Sequence, residues 1–488
     1  MVACHRLTVG GQPRFSCAPH YATSLPCRTL QHGVEDWNVV QQAKADTTLA
    51  AGEYRSPRLA QQYHTPVQLA RARRIDLVAQ FSGAFDLAEG QPIGHAARVA
   101  HLALAFGRRL KLDGGSRRRL LYAALLHDAG VAVREVPSTV DPVGGHTAAG
   151  AWVASLMGLD EETQHVIQCT HERWDGEGRP HRLAMSDVPV EALAIVAAHW
   201  VTDKLGPQEN PLRARATLRP FQPDDLESLV GVRIAQATLS ELNEDHVWMS
   251  LWDDDLVTRL TERVPGEGRP AMQHVERVAA AIGKVVDSAV RENGRSQRVA
   301  DLASALARQL GLDALSGRAL HAAGLVMDIG QLGVPRHITE KPALLSIDEM
   351  EMMRRHSGWA SQLLEGIPGF EELALWVEAH HERPDGRGYP NLLSAAEIPF
   401  PARILAVADT YWALRAERPY RAALSEHDAT AVIEQATGTQ FDASVASVLR
   451  RALRSVAARD AEHGGTEETT MVSTQEVDAV AHPMAAIG

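Results

Sequence analysis

This chain of 488 residues is poor in the features that mark several common protein classes. It has four cysteines, three of them within the first 27 residues, which cannot make a disulfide framework, so a reducing, cytoplasmic setting is expected. No apolar run approaches the roughly 20 residues that cross a bilayer, and the first residues lack the continuous apolar stretch of a signal peptide. Positive charge is not in excess: 49 Lys and Arg against 61 Asp and Glu leave a net charge of −12. That balance argues against a broad nucleic-acid surface or a polybasic membrane face. Alternating strand patterns are scarce, which points to an all-α fold. With 45% hydrophobic and 23% charged residues the chain is ordinary globular material, long enough for two domains with sizeable cores.

What is present is a histidine-rich pattern that occurs twice. The first copy reads His95, Leu-Leu-His127-Asp128-Ala-Gly, His146, Thr170-His171-Glu172 and His199. The second reads Arg295, Leu-Val-Met327-Asp328-Ile-Gly, His356, His380-His381-Glu382 and Asp409. The gaps agree: 32 residues from 95 to 127 and from 295 to 327, 25 from 146 to 171 and from 356 to 381, 28 from 171 to 199 and from 381 to 409. Only the stretch from 127 or 327 to the next histidine differs, 19 residues against 29. A repeat of this kind fixes the architecture before any single motif is read.

Helical periodicity surrounds both copies. Val99, Leu102, Ala103, Phe106 and Leu110 share one face after His95, and Leu120, Ala123, Ala124 and His127 share one face of the next helix. Val299, Leu302, Leu306 and Leu310, then Leu320, Ala323, Gly324 and Met327, repeat this. Gly206-Pro207 to Pro211 interrupts the first copy. A helical connector carrying Leu226, Leu229, Val230 and Ile234 follows, and Pro265-Gly-Glu-Gly-Arg-Pro270 is a linker. The expected division is a disordered segment over 1–65, a first domain over 66–206, a connector over 207–270, a second domain over 271–460 and a disordered tail over 461–488. Cys4, His5, Cys17, His20, Cys27 and His32 lack the paired C-x-x-C spacing of a zinc knot and are read as part of a loose tail.

Histidine and carboxylate donors suit Mn, Fe or Zn. Any one histidine on a helix is ordinarily a packed or surface residue, but six candidate ligands on a recurring spacing are not so explained: His95, His127, Asp128, His146, His171 and His199. An Asp beside a His can bridge two ions, and a metal pair roughly 3.5–4 Å apart activates water for phosphoester hydrolysis.

The second copy resembles the HD superfamily of metal-dependent phosphohydrolases, and within it the HD-GYP branch. The resemblance rests on Asp328-Ile-Gly330, Gly333-Val-Pro335, Lys341-Pro342, the run from His380 to Gly388-Tyr389-Pro390, Ile398-Pro399, Ala402 to Asp409, Arg418-Pro-Tyr-Arg421 and Gly438-Thr439-Gln440-Phe441-Asp442. The first copy is similar more loosely, with Trp174-Asp-Gly kept and Gly178-Arg179-Pro180 in place of Gly-Tyr-Pro. The resemblance implies two tandem helical HD-type domains holding divalent ions (Fe, Mn or Zn), one or two in the first and at most one in the second. It implies ligands at His95, His127, Asp128, His146, His171 and His199, and at Asp328, His356, His380, His381 and Asp409. His127 and Asp128 would be the catalytic pair; Gly388, Tyr389, Pro390, Arg418 and Arg421 would lie around the nucleotide. Departures are Thr170 and His199 in the first copy and Arg295 and Met327 in the second. Val131 and Gln331 replace a lysine. Arg295 puts positive charge where a cation is bound, and Met327 is a soft ligand for a hard ion.

The expected function is hydrolysis of a cyclic dinucleotide of cyclic di-GMP type, centred on the first copy. Two alternatives are a non-catalytic signalling protein whose second copy senses a nucleotide or a partner, and an HD-type nucleotidase.

Overall fold

The computed structural model describes residues 68–205, 211–218, 224–262, 264, 268–417 and 422–467. Among the described residues there are 20 α-helices and no strands, with isolated bridges only at Asp385–Ser394 and Thr437–Phe441. The all-α expectation holds. The cysteine- and histidine-bearing N-terminal segment lies outside the described residues.

The first copy comprises α1 (Arg74–Glu89), α2 (His95–Arg109), α3 (Gly114–Leu125), α4 (Gly145–Leu156), α5 (Glu161–Gln168) and α6 (Val190–Leu205). Five short helices form the connector: α7 (Pro211–Leu218), α8 (Asp224–Val230), α9 (Val232–Leu242), α10 (Asp245–Leu251) and α11 (Leu256–Glu262). The second copy begins with α12 (Met272–Val290), α13 (Arg295–Gln309) and α14 (Ala314–Val326). It continues through α15 (Arg336–Thr339), α16 (Ile347–Glu365), α17 (Glu371–Glu378), α18 (Phe400–Arg415), α19 (Glu426–Gln435) and α20 (Ala443–Glu467). The last helix runs past residue 460, into the stretch expected to be tail.

The apolar faces read from the sequence are the buried ones. Val99, Leu102, Ala103 and Phe106 on α2, and Val299, Leu302 and Leu306 on α13, are fully buried. Local signals recur as well: Asp113 accepts the Ser116 amide at 2.8 Å to start α3, and Asp313 accepts the Ser316 amide at 2.9 Å to start α14. Each copy has a left-handed glycine, Gly94 or Gly294, just before the helix that carries position 95 or 295. An aspartate of the preceding helix grips that start. Asp86 accepts the Gly94 and Ala96 amides at 2.8 and 2.9 Å, and Asp287 accepts the Ser296 amide at 3.0 Å.

After position 128 or 328 the chain turns through a short 3-10 helix, Ala129–Ala132 or Ile329–Gly333. The glycine of each turn is sterically required, because a Cβ on Gly130 would sit 1.8 Å from the His146 carbonyl oxygen, and one on Gly330 would sit 1.9 Å from that of His356. This close approach presses the aspartate's turn against the helix bearing the next histidine.

The two copies share one hydrophobic core. Their packing is reciprocal: α1 touches the Ile329–Gly333 turn of the second copy as well as its own, and α12 touches the Ala129–Ala132 turn of the first. Arg336 Nη2 donates to the Val131 carbonyl at 3.0 Å, and the Arg134 amide donates to Ser288 Oγ at 2.9 Å across this junction. No described helix is long and apolar enough to cross a membrane.

Candidate metal centre

Three separate elements deliver the first cluster. His95 opens α2, His127 and Asp128 follow the end of α3, and His199 lies in α6. One ligand atom from each falls within 4.8 Å of all the others. The imidazoles of His95, His127 and His199 have ring centroids 5.3 to 5.8 Å apart. His127 donates from Nδ1 to the Ala124 carbonyl at 2.8 Å, which fixes the tautomer and frees Nε2 as a lone-pair donor. His199 Nδ1 lies 3.2 Å from Asp203 Oδ2, so its Nε2 is left for the cluster.

The polar atoms inside this cluster are the test of whether a metal fits. His95 Nε2, His127 Nε2 and Asp128 Oδ2 are buried and have no hydrogen-bond partner. His127 Nε2 stands 2.7 Å from Asp128 Oδ2, without hydrogen-bond alignment, as two donors to one cation do. Buried polar atoms are otherwise almost always paired. Burial, and then the neighbouring His127, hold His95 down to about 3, so its imidazole is neutral and able to ligate. Burial opposes charge on His127 too, but the Asp128 carboxylate overrides it and raises that imidazole to about 9. The donor set fits a divalent cation of the Mn, Fe or Zn kind.

A second group adjoins the first and shares a member with it. His146 and His171 present their Nε2 atoms to each other at 2.9 Å and group with Asp128. Asp128 is thus common to both groups. The centre opens on two cavities. One of about 230 Å³ is lined by His127, His171 and His199; another of about 840 Å³ lies on the His95 side, between Arg98 and the connector residue Trp252.

In the second copy His356, His380 and His381 come together. His356 and His380 donate from Nδ1 to the Met353 and Val377 carbonyls at 2.7 and 2.5 Å, and His380 Nε2 is buried without a partner. Asp328 touches that group through its Oδ1, 3.6 Å from His356 Nε2, and Asp409 falls outside it. They converge on the buried guanidinium of Arg295, which donates from Nη1 to Asp328 Oδ2 at 2.5 Å and from Nη2 to Asp409 Oδ1. Met327 is packed in the core. Tyr389 stacks on His381 with centroids 4.6 Å apart, and Arg354 lies over the same tyrosine ring at 5.3 Å. Gly388 packs so tightly that a Cβ would come within 2.4 Å of Glu382 Cα. Arg179 holds the position of Tyr389 in the first copy, its amide bonded to the His171 carbonyl at 3.0 Å, but its side chain is exposed and leaves His171 uncovered. Arg418 and Arg421 lie outside the described residues.

Three features escaped the sequence reading. Glu89, at the end of α1, sits against Asp128; burial and that carboxylate push its own carboxyl up to about 7. Its place six residues before His95 was a weak signal, and the second copy has Ala289 two hundred residues on. Glu172 and Glu382, beside the paired histidine positions, are loop anchors: Glu172 accepts the His181 and Leu183 amides, and Glu382 those of Asn391 and Leu393. Gln331, read only as a lost lysine, donates to Asp328 Oδ1 at 2.7 Å.

Two family models described as HD domain match the chain, one over residues 93–215 and the other over 282–445. The chain is 27% identical over 447 residues to 3'3'-cGAMP-specific phosphodiesterase 3 of Vibrio cholerae, covering 78% of this chain and 94% of that protein. It is 32% identical over 377 residues to 3'3'-cGAMP-specific phosphodiesterase 1 of the same organism, covering 74% and 87%. The crystal structure of a cyclic GMP-AMP specific phosphodiesterase from V. cholerae shares the fold, with a TM-score of 0.59, 24% identity and coverage of 78% of this chain and 98% of that one.

Proposed function

From the premise that this chain belongs to the HD domain family, as a metal-dependent phosphohydrolase of tandem HD-GYP type, we propose that it hydrolyses a cyclic dinucleotide at the first copy. The observation that carries the assignment to this copy is the convergence of three buried donor atoms, on His95, His127 and Asp128, none of them in an aligned hydrogen bond. His199 completes the set, with Asp203 holding its ring. His146 and His171, with Asp128 between the two groups, hold a second position.

When bound, a divalent cation here supplies an acidified water and neutralises charge developing on the phosphoryl oxygens. The chain's own residues supply the rest. His95, kept neutral, offers a lone pair, and His127, its Nδ1–H held by the Ala124 carbonyl, would turn Nε2 to the same point on giving up its proton as the cation binds. The cavity of about 840 Å³ beside His95 is where the substrate is placed, with the Arg98 guanidinium suited to a phosphate and the Trp252 ring to a base. A dinucleotide of this class agrees with the names of the relatives above, and with the cytoplasmic setting expected from the cysteines.

The test is a Mn- or Fe-dependent hydrolysis assay over cyclic dinucleotides, linear dinucleotides and mononucleotides. Cyclic dinucleotides should be cleaved fastest, with turnover lost in His127→Ala and Asp128→Ala and retained in Asp409→Asn. Loss in Asp409→Asn with retention in Asp128→Ala would move the centre to the second copy. Preference for mononucleotides would favour the nucleotidase reading.

A further inference from the structure

The two clusters differ in chemistry at equivalent positions of the repeat. Positions 95, 127, 128 and 199 are three imidazoles and a carboxylate, with His95 Nε2, His127 Nε2 and Asp128 Oδ2 outside any aligned hydrogen bond; positions 295, 327, 328 and 409 are a guanidinium, a thioether and two carboxylates, with the guanidinium bonded to both carboxylates. Arg295 spends both terminal nitrogens of its fork on carboxylates, while its Nε makes an ion-pair contact without an aligned hydrogen bond. Nε lies 3.0 Å from Glu292 Oε2, Nη1 bonds Asp328 and Nη2 bonds Asp409. Asp328 has both oxygens occupied by protein donors, Oδ2 by Arg295 and Oδ1 by the Gln331 amide. Where the first copy has Val131 it has no such donor, and Asp128 Oδ2 has the ligand candidate His127 at 2.7 Å but no aligned hydrogen bond.

The donors of the second copy therefore do not fit a metal at the Asp328–Asp409 position. A planar, permanently charged fork matches two carboxylates geometrically and stays protonated when buried. We propose that Arg295 is a resident cation, built into the chain, that takes the place of the metal between Asp328 and Asp409, with Gln331 satisfying the carboxylate oxygen that a second ion would claim. The second copy keeps its fold at this position without any bound ion and has no hydrolytic centre there. Three residues act together: Met327 removes a ligand, Arg295 supplies the charge, and Gln331 closes the remaining lone pair. This assignment holds whether or not the first copy turns over substrate.

The experiment counts metal and follows melting in the full chain. Protein purified without chelator from Mn-supplemented cells is measured by plasma mass spectrometry. Asp409→Asn should carry the same metal per chain as the unmodified protein, and Arg295→His combined with Met327→His should carry an additional ion. In Arg295→Ala the facing carboxylates lose their counter-charge, so its Tm should fall by several degrees and recover on adding Mn²⁺ by more than the unmodified protein responds. Metal content that drops in Asp409→Asn would overturn the proposal, as would an Arg295→Ala variant whose melting is unchanged and indifferent to Mn²⁺. Should Arg295→Ala yield no folded protein, the Asp409→Asn metal count decides alone, since Asn keeps the size and an accepting oxygen.

Discussion

The two halves start from the same backbone and end in opposite electrostatic states. Around Asp128 the first copy leaves His95 Nε2 buried and unpaired, which costs about 1–3 kcal/mol unless something binds, and sets His127 and Asp128 against each other as an ion pair. Around Asp328 the second copy pairs its carboxylate atoms internally. Both nonetheless keep the turn glycine, the helix-gripping aspartate and the loop-anchoring glutamate: Gly130 and Gly330, Asp86 and Asp287, Glu172 and Glu382. The scaffold of this fold is thus separable from its ligands. The donor positions of a helix pair can change while the glycine and the carboxylates that hold its turns stay in place.

That contrast can be broken most severely at the cluster itself. Asp128→Ala should abolish metal-dependent hydrolysis and lower metal per chain, both read on purified protein, while Asp409→Asn should change neither. Next in size is the turn. Gly130→Ala and Gly330→Ala force a methyl against a carbonyl oxygen and should each destabilise by about 1–3 kcal/mol or more in urea titrations. Only Gly130→Ala should also impair metal binding. Asp203→Asn loosens the orientation of His199 and should weaken metal affinity roughly 10–100-fold, measured by competition with a chelating dye.

The smallest effect is in pH. In protein stripped of metal, His127 is raised to about 9. A histidine whose folded pKa is raised contributes stability that is complete below its unfolded pKa and is lost as pH rises through the folded one. Metal-free protein should therefore lose stability between about pH 7 and 9, and His127→Gln should flatten that slope. The second copy offers no counterpart in this window. Burial opposes the charge on Asp328, but Arg295 holds that carboxyl well below the usual carboxylate range. Its contribution is present above the unfolded pKa and declines only in strong acid.

Much of this was legible in the residues. Equal gaps between ligand types placed His95, His127, Asp128 and His199 in one pattern, and helical periodicity named the buried faces of α2 and α13. Arg295 and Met327 could be read as losses. What spacing could not convey is where a lost position turns its side chain: Arg295 points inward because two carboxylates and Glu292 outweigh its desolvation. Glu89 was hidden because a repeat highlights what recurs, and its partner position is Ala289. The wall that Trp252 gives to the larger cavity depends on how the connector folds back, a long-range contact that no local pattern encodes.

The crossed packing of α1 and α12 bears on how such a chain can change over generations. Each half rests on the other's aspartate turn, so a half relieved of chemistry still serves as the floor of its neighbour. A substitution in either aspartate turn is therefore felt in both halves, whichever of them carries the chemistry.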